Sequence, residues 1–384
     1  MQYNVISTDN HINEPPTVYV DRVPARFKDK APRIMRAADG GDGWSYDGSQ
    51  PKAGFGLGVT GAMTKQNYKE YKLGGIKWEE VPEGNYDGAA HIKANELDGV
   101  DAAAIYPAAV DGANRLADRE LALACIRAYN DWLIDDFCSA DPRRLLSLAY
   151  IPVDDPIEVA VAEAERVIEK GAKGLYLPLP KEIGYHDPMY DPIWKVATQG
   201  RVPVTMHRPG GTGVSRREMP ASWGGAEATI YMAPGMNIVG IVQKFFCCIN
   251  PISNMIFTGV FERFPDLHFI AGEVNCGWVP ELAALMDQEF ERQRWWAHPP
   301  FETMPSTYLG RNVFVTMLDD YVGARFANQD PPTARTAMFS SDYPHSTTLW
   351  PNSQEIIAKM TEGMSPELKH DILAGNAVRA YNLN

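Results

Sequence analysis

The chain has 384 residues, 45% of them hydrophobic and 22% charged, a balance that suits a globular protein with a large core and excludes a disordered or fibrous one. Its 49 acidic and 36 basic residues leave a formal net charge of −13, which argues against non-specific binding to nucleic acid or to an anionic membrane. No segment approaches the roughly 18 apolar residues needed to span a bilayer.

The N-terminus, "MQYNVISTDNH", lacks a basic patch followed by an apolar run, so no secretory signal is expected there. The first strand is predicted over 3–9, "YNVISTD". From about 15 to 90 the chain is rich in Pro, Gly and aromatic residues, far longer than the roughly 2–6 residues usual for a connection between strand and helix. A second strand follows at 100–107, then a helix over about 118–138 with Leu121, Cys125, Ala128 and Trp132 recurring at intervals of three and four. The third strand is 144–153. Asp155 and Pro156 read as an N-cap and first-turn pair, opening a helix that runs to Lys170 and stops at Gly171. Strands at 172–178 and 202–207 come next, the latter leading into a glycine-rich loop, "HRPGGTGVSRREMPASWGG". The last three strands are 267–273, 312–319 and 337–342, and Ser365 with Pro366 opens the final helix.

Eight apolar runs alternating with helices predict an α/β chain folded as a (β/α)₈ TIM barrel, with long loop insertions at the C-terminal face. We expect one domain over 1–384 with an inserted region at about 15–90. The five cysteines, Cys125, Cys138, Cys247, Cys248 and Cys276, are an odd set without CxxC spacing and read as reduced thiols of a cytoplasmic protein.

Barrel enzymes keep their chemistry at strand C-termini. The polar residues there are Asp9 and His11 after strand one, His207 after strand five, Glu273 after strand six, Asp319 and Asp320 after strand seven, and Asp342 and His345 after strand eight. Strand alternation puts Asp9 and His11 on one face, so two strong donors emerge together. Oxygen and imidazole donors without thiolate suit a divalent Zn, Mn or Fe ion. Asp9, His11, His207 and Asp342 are the expected ligands. Glu14, Glu273 and His345 make seven donors in all, more than one ion requires, so two metals per chain stay open. Asp342, Glu273 and His207 are the candidate catalytic residues. Arg208 is a candidate clamp for a substrate carboxylate, and Trp223 and Trp278 are candidate pocket walls. Asp319 and Asp320 read as structural. Trp295 and Trp296 are candidates for a subunit contact.

"DNHINEP", "FERFPDLHFIAGEVNCGWVP", "FSSDYPHSTTLWP" and "ILAGNAVRAY" resemble the amidohydrolase superfamily, in its amidohydrolase-related branch with aminocarboxymuconate semialdehyde decarboxylase and resorcylate-type decarboxylases. The resemblance implies a metal-binding barrel, commonly dimeric, whose strand-one pair is His-x-His in many hydrolases and Glu-x-His in several decarboxylases. Asp9-x-His11 leans toward the second group. His207 matches the metal histidine of strand five and Asp342 the aspartate of strand eight, while Glu273 stands where the decarboxylases often place a histidine. Lys173 lies at the wrong end of its strand to match the bridging lysine of two-zinc hydrolases.

The expected function is therefore non-oxidative decarboxylation (carboxy-lyase) or hydrolysis of a small carboxylated substrate by a metal-dependent enzyme. Two alternatives remain: a dinuclear iron oxygenase on the same barrel, and a catalytically silent partner of an active paralogue. The expected partners are a small-molecule substrate and a second subunit, in a homodimer or with a paralogue.

Overall fold

A computed structural model describes residues 1–51, 53–179, 183–208 and 236–383, and in it each of the eight apolar runs forms a strand. In chain order the strands are β1 (Ile6–His11), β2 (Arg33–Arg36), β3 (Asp42–Ser45), β4 (Ala102–Tyr106), β5 (Leu145–Tyr150), β6 (Gly174–Tyr176), β7 (Val204–His207), β8 (Phe269–Gly272), β9 (Val313–Met317) and β10 (Ala337–Phe339). Eight of them make one parallel sheet in the order β1-β4-β5-β6-β7-β8-β9-β10, with helices in the connections. These strands are short and almost wholly buried, as parallel strands covered on both faces must be. The small Ala102, Ala103 and Ala104 of β4 are fully buried, as are the larger Phe269 of β8, Phe314 of β9 and Phe339 of β10. Each large side chain so buried contributes about 1.5–3 kcal/mol relative to exposure.

The sheet is nearly closed, and its seam lies between β10 and β1. There Thr8 Oγ1 donates to the Phe339 carbonyl at 2.9 Å and the Ser341 N–H donates to Ser7 Oγ at 2.8 Å. Past the end of β10, the Asp342 N–H donates to the Asp9 carbonyl at 2.9 Å and the His11 N–H to the Tyr343 carbonyl at 2.7 Å. Strand β1 also carries a bulge. Ser7 pairs with Ala103 but Asn10 with Ile105, so one extra residue is accommodated between them. The strand consequently runs on to His11 instead of ending at residue 9, and the bulge re-aims the side chains around Asp9.

The inserted region lies on the C-terminal face. Strands β2 and β3 form an antiparallel hairpin, Arg33 opposite Ser45 and Arg36 opposite Asp42. The stretch after it packs on the loop that follows β10: the Ser346 N–H donates to the Leu57 carbonyl at 2.9 Å, Tyr71 Oη to the Ser346 carbonyl at 2.7 Å, and Gln66 Nε2 to the Thr348 carbonyl at 2.7 Å. Contact is close enough to require glycine at Gly61, where a Cβ would come within 1.8 Å of the His345 carbonyl oxygen.

Two expected helix ends are found. Ser365 accepts from the Leu368 N–H at 3.2 Å before Pro366, and Gly171 has φ +99° just beyond Glu169. The N-cap expected at Asp155 is not: its carboxylate takes the Arg119 guanidinium at 3.0 and 2.6 Å, and the helix Ile157–Glu169 begins after Pro156 without a side-chain cap. Among the described residues no helix is long and apolar enough to cross a membrane.

Candidate metal centre

Asp9 and His11 meet at the end of β1, with His11 Nε2 3.1 Å from Asp9 Oδ1. The end of β7 adds His207, its Nε2 3.4 Å from the same oxygen, and the chain after β10 adds Asp342, whose Oδ1 is 3.3 Å from His11 Nε2. His345 completes the set with Nδ1 3.2 Å from Asp342 Oδ1, its ring stacked on that of His11 at 3.8 Å. Asp9 with His11 and His207, and His11 with Asp342 and His345, each offer ligand atoms within 4.8 Å of one another, the two groups sharing His11.

These contacts are not an ordinary hydrogen-bond network. Asp9 Oδ1, His11 Nε2, His207 Nε2 and Asp342 Oδ1 are all buried and none makes a hydrogen bond, although they face one another. A buried polar atom without a partner costs about 1–3 kcal/mol, so four of them converging need a shared cation. His207 Nδ1 lies 2.7 Å from the Arg208 carbonyl, which fixes the proton there and leaves the Nε2 lone pair free to coordinate. The donor set thus fits a divalent ion.

Charge leads to the same conclusion. With Glu273 ionised, Asp9, Asp342 and Glu273 bring three negative charges to this buried spot and Arg208 returns one positive charge, leaving −2 with neutral imidazoles; a proton on Glu273 lowers the imbalance to −1. Without a metal, protons fill that role. Burial disfavours charge on His207, but Asp9 and Glu273 outweigh it and push the imidazole up to about 9. His345 is likewise raised against its burial by Asp342. Burial and the neighbouring His345 pull His11 down to about 4, and Asp9, although buried, is held below the usual carboxylate range by His207 and His11.

Glu273 sits beside the cluster, Oε2 3.5 Å from His207 Nε2 and Oε1 on the Arg208 guanidinium. Burial and the charge of Asp342 raise its pKa, with Arg208 and His207 opposing. Glu273 at φ +54° and Asp342 at φ +50° both occupy the left-handed region, which costs a non-glycine residue about 1–3 kcal/mol and is characteristic of functional positions. Supporting hydroxyls come from residues that sequence reasoning missed. Thr316 of β9 donates to Asp9 Oδ2 at 3.3 Å and accepts from the Glu273 N–H at 2.6 Å. Thr347 bonds Asp342 Oδ2 and reaches Glu273 Oε1 at 3.2 Å. The only sequence signal for Thr316 was an inward position on a strand.

Several expected residues stand elsewhere. Glu14 is not at the cluster: its oxygens accept the N–H groups of Ala108, Ala109 and Val110 at 3.3, 2.8 and 3.2 Å, which occupies them at the start of the short helix Val110–Asn114. Trp278 packs against the main core, donates its indole N–H to the Val274 carbonyl at 2.9 Å and is not among the described residues that line the cavity at the cluster. Asp320 is structural, accepting the N–H groups of Cys276, Gly277 and Gly323. Trp223 lies outside the described residues. Arg208 does line the cavity at the cluster, a space of about 300 Å³ shared with His11, His207, Glu273 and His345.

The amidohydrolase family profile matches residues 79–383. The chain belongs to the amidohydrolase family. Similar solved structures extend the likeness to the whole chain, including the part before residue 79 that holds Asp9 and His11. An amidohydrolase from Mycobacterium avium subsp. paratuberculosis K-10 is 20% identical with a TM-score of 0.75, over 100% of this chain and 99% of that one. The 5-carboxyvanillate decarboxylase of Sphingomonas paucimobilis is 18% identical with a TM-score of 0.64, over 100% of both chains. A dihydroxybenzoic acid decarboxylase from Polaromonas sp. JS666, solved with manganese and 2-nitroresorcinol, is 15% identical with a TM-score of 0.63, over 100% of this chain and 98% of that one. At these identities the likeness is one of fold. No curated protein sequence matches this amidohydrolase.

Proposed function

We propose that this amidohydrolase is a metal-dependent enzyme that removes CO₂ from a small carboxylated substrate without an oxidant. The observation that carries the reading is the convergence of four buried, unpartnered ligand atoms on Asp9, His11, His207 and Asp342 beside a 300 Å³ cavity that also presents Arg208 and Glu273. Those four residues would hold a divalent ion, which would supply positive charge to anchor and polarise the substrate carboxylate or an adjacent hydroxyl. Arg208, fixed by Glu273, offers guanidinium N–H groups to the same carboxylate. When the carbon–carboxylate bond breaks, its electron pair stays on the substrate carbon and takes up a proton. Glu273 lines the cavity with a raised pKa, so it is the group to deliver that proton, and the Thr347 hydroxyl links it to Asp342. The two decarboxylases that share the fold support this reaction class. Hydrolysis of a carboxylated substrate is the neighbouring reading, in which the same donors would serve an attacking water.

A second reading, the dinuclear iron oxygenase, draws on the two donor groups that share His11. The free thiols among the described cysteines favour a cytoplasmic location. Trp295 and Trp296, both exposed, favour a homodimer or a pairing with a paralogous subunit.

The test is metal analysis of protein purified without added ions, followed by CO₂ release from 2-hydroxybenzoate and its ring-hydroxylated derivatives. One Mn or Zn per chain with CO₂ release supports the decarboxylase. Two ions including Fe, with O₂ uptake, overturn it in favour of the oxygenase. No bound metal, or no change in any activity in His207→Ala, sinks both.

A further inference from the structure

The cavity at the cluster has two acidic lining residues among those described, Glu273 and Asp111. Glu273 is engaged by Arg208, whereas Asp111 lies outside the donor set, on the helix Val110–Asn114 that follows β4. Tyr106, Pro107, Ala108 and Tyr176 line the same cavity, and the charged groups that act on Asp111 are Arg115, His207 and Asp154. A carboxylate in such a wall is expensive unless something donates to it. The Tyr150 phenol and the Arg115 charge favour the carboxylate form, yet burial outweighs them and its pKa stays above the ordinary value.

Asp111 is also held rigidly in place. The Glu14 carboxylate, buried behind this helix, takes the N–H groups of Ala108, Ala109 and Val110, the three residues immediately before Asp111. Placing one buried acid to fix the loop that presents another makes the second a defined feature of the cavity. A space of about 300 Å³ is at the lower end for ligand sites and admits one ring with a few substituents.

Resting on the decarboxylase reading, we propose that Asp111 determines substrate choice by accepting a hydrogen bond from a hydroxyl or amino group on the substrate ring, apart from the carboxylate that the metal and Arg208 engage. Glu14 is a positioning residue for that contact.

The test uses the manganese-loaded enzyme and a matched set of probes: 2-hydroxybenzoate, its 2,3-, 2,4- and 2,5-dihydroxy counterparts, and 4-amino-2-hydroxybenzoate. Binding is read by calorimetry and CO₂ release is followed for the same compounds. At least one compound with the added donor should bind about ten-fold or more tightly than 2-hydroxybenzoate, the size expected for a hydrogen bond to a charged group. In Asp111→Ala that ratio should fall to within about two-fold, with Asp111→Asn between, since a neutral amide accepts more weakly. The ratio is taken within each variant, so a general loss of activity or folding yield does not move it. An unchanged ratio in Asp111→Ala, or no preference in the wild type, overturns the assignment. Binding without CO₂ release overturns the decarboxylase reading while the ratio still decides the role of Asp111; no binding by any probe overturns both.

Discussion

The Asp342 N–H donates to the Asp9 carbonyl at 2.9 Å, so the two aspartates of the donor cluster are joined through their own backbones across the barrel seam. Beneath that junction lies a buried polar network centred on Asn10. Its Oδ1 accepts from Ser7 Oγ at 2.6 Å and Ser341 Oγ at 2.9 Å, while its Nδ2 donates to Asn95 Oδ1 at 3.1 Å and faces His91 Nε2 at 2.9 Å. Asn10→Ala leaves Asn95 Oδ1 and His91 Nε2 buried without that partner and takes an acceptor from the Ser7 and Ser341 hydroxyls, which still bond each other at 3.1 Å. The expected loss is about 3 kcal/mol or more of unfolding free energy, because each orphaned group costs about 1–3 kcal/mol before relaxation. Urea denaturation measures it, and a loss below about 1 kcal/mol would show that water replaces the side chain.

His91 gives this network a pH dependence. It is fully buried between the Gly84 carbonyl, 2.8 Å from Nδ1, and Asn10, and burial pulls its pKa from 6.5 down to about 4. A histidine with a lowered folded pKa stabilises fully above its unfolded value, and that stability is lost as pH falls through the folded one. The window is therefore pH 6.5 to 4, and the loss across it is about 3 kcal/mol. His91→Gln, which can still donate to Gly84 and accept from Asn10, should flatten the stability curve in this window. Chemical denaturation at half-unit pH steps decides it; an equal slope in both proteins would mean that other groups cause the acid loss.

Much of this molecule was legible in the sequence because the strands are buried on both faces and so read as continuous apolar runs. Their C-terminal ends could be located well enough to gather Asp9, His11, His207, Glu273, Asp342 and His345, which the fold brings together. The end of β1 was set too early because a bulge adds a residue without leaving a pattern. Glu14 was misread for a different reason. Its partners are backbone N–H groups about 95 positions away, and such donors have no sequence signature. Thr316, Thr347 and Asp111 were missed since a hydroxyl or a lone carboxylate gains meaning only from what faces it in space. Asp155 had the right type and position for a cap, but the Arg119 guanidinium competes successfully for it.

The placement of Glu14 separates structural from metal-binding roles experimentally. Burial raises its pKa, and the three backbone N–H groups oppose that rise. Glu14→Ala removes their acceptor, so it should cost about 2–4 kcal/mol of stability. Glu14→Gln retains one acceptor oxygen and should recover part of that. Metal content per folded chain should equal that of the wild type in both variants. Loss of one ion in Glu14→Gln, measured by elemental analysis, would restore Glu14 to a second metal site and reopen the dinuclear reading.

His207 should show the reverse pattern, loss of the stability gained from the metal. Its Nε2 has no hydrogen-bond partner to orphan, and the Arg208 carbonyl that faces Nδ1 belongs to its own chain neighbour. A ligand that binds only the folded state stabilises it by RT ln(1 + [L]/Kd), about 2.7 kcal/mol at a concentration one hundred times Kd. The metal-stripped wild type should therefore gain roughly that much on adding Mn²⁺ at such a concentration. His207→Ala should begin below the stripped wild type at neutral pH, because the imidazole that Asp9 and Glu273 push up to about 9 is protonated there and offsets their charge. It should gain less than about 1 kcal/mol at the same Mn²⁺ concentration if losing the ligand weakens binding about 100-fold. Thermal or urea unfolding with and without metal reads both values on one scale. An equal gain in the two proteins would remove His207 from the ligand set and leave Asp9, His11 and Asp342 to hold the ion without β7.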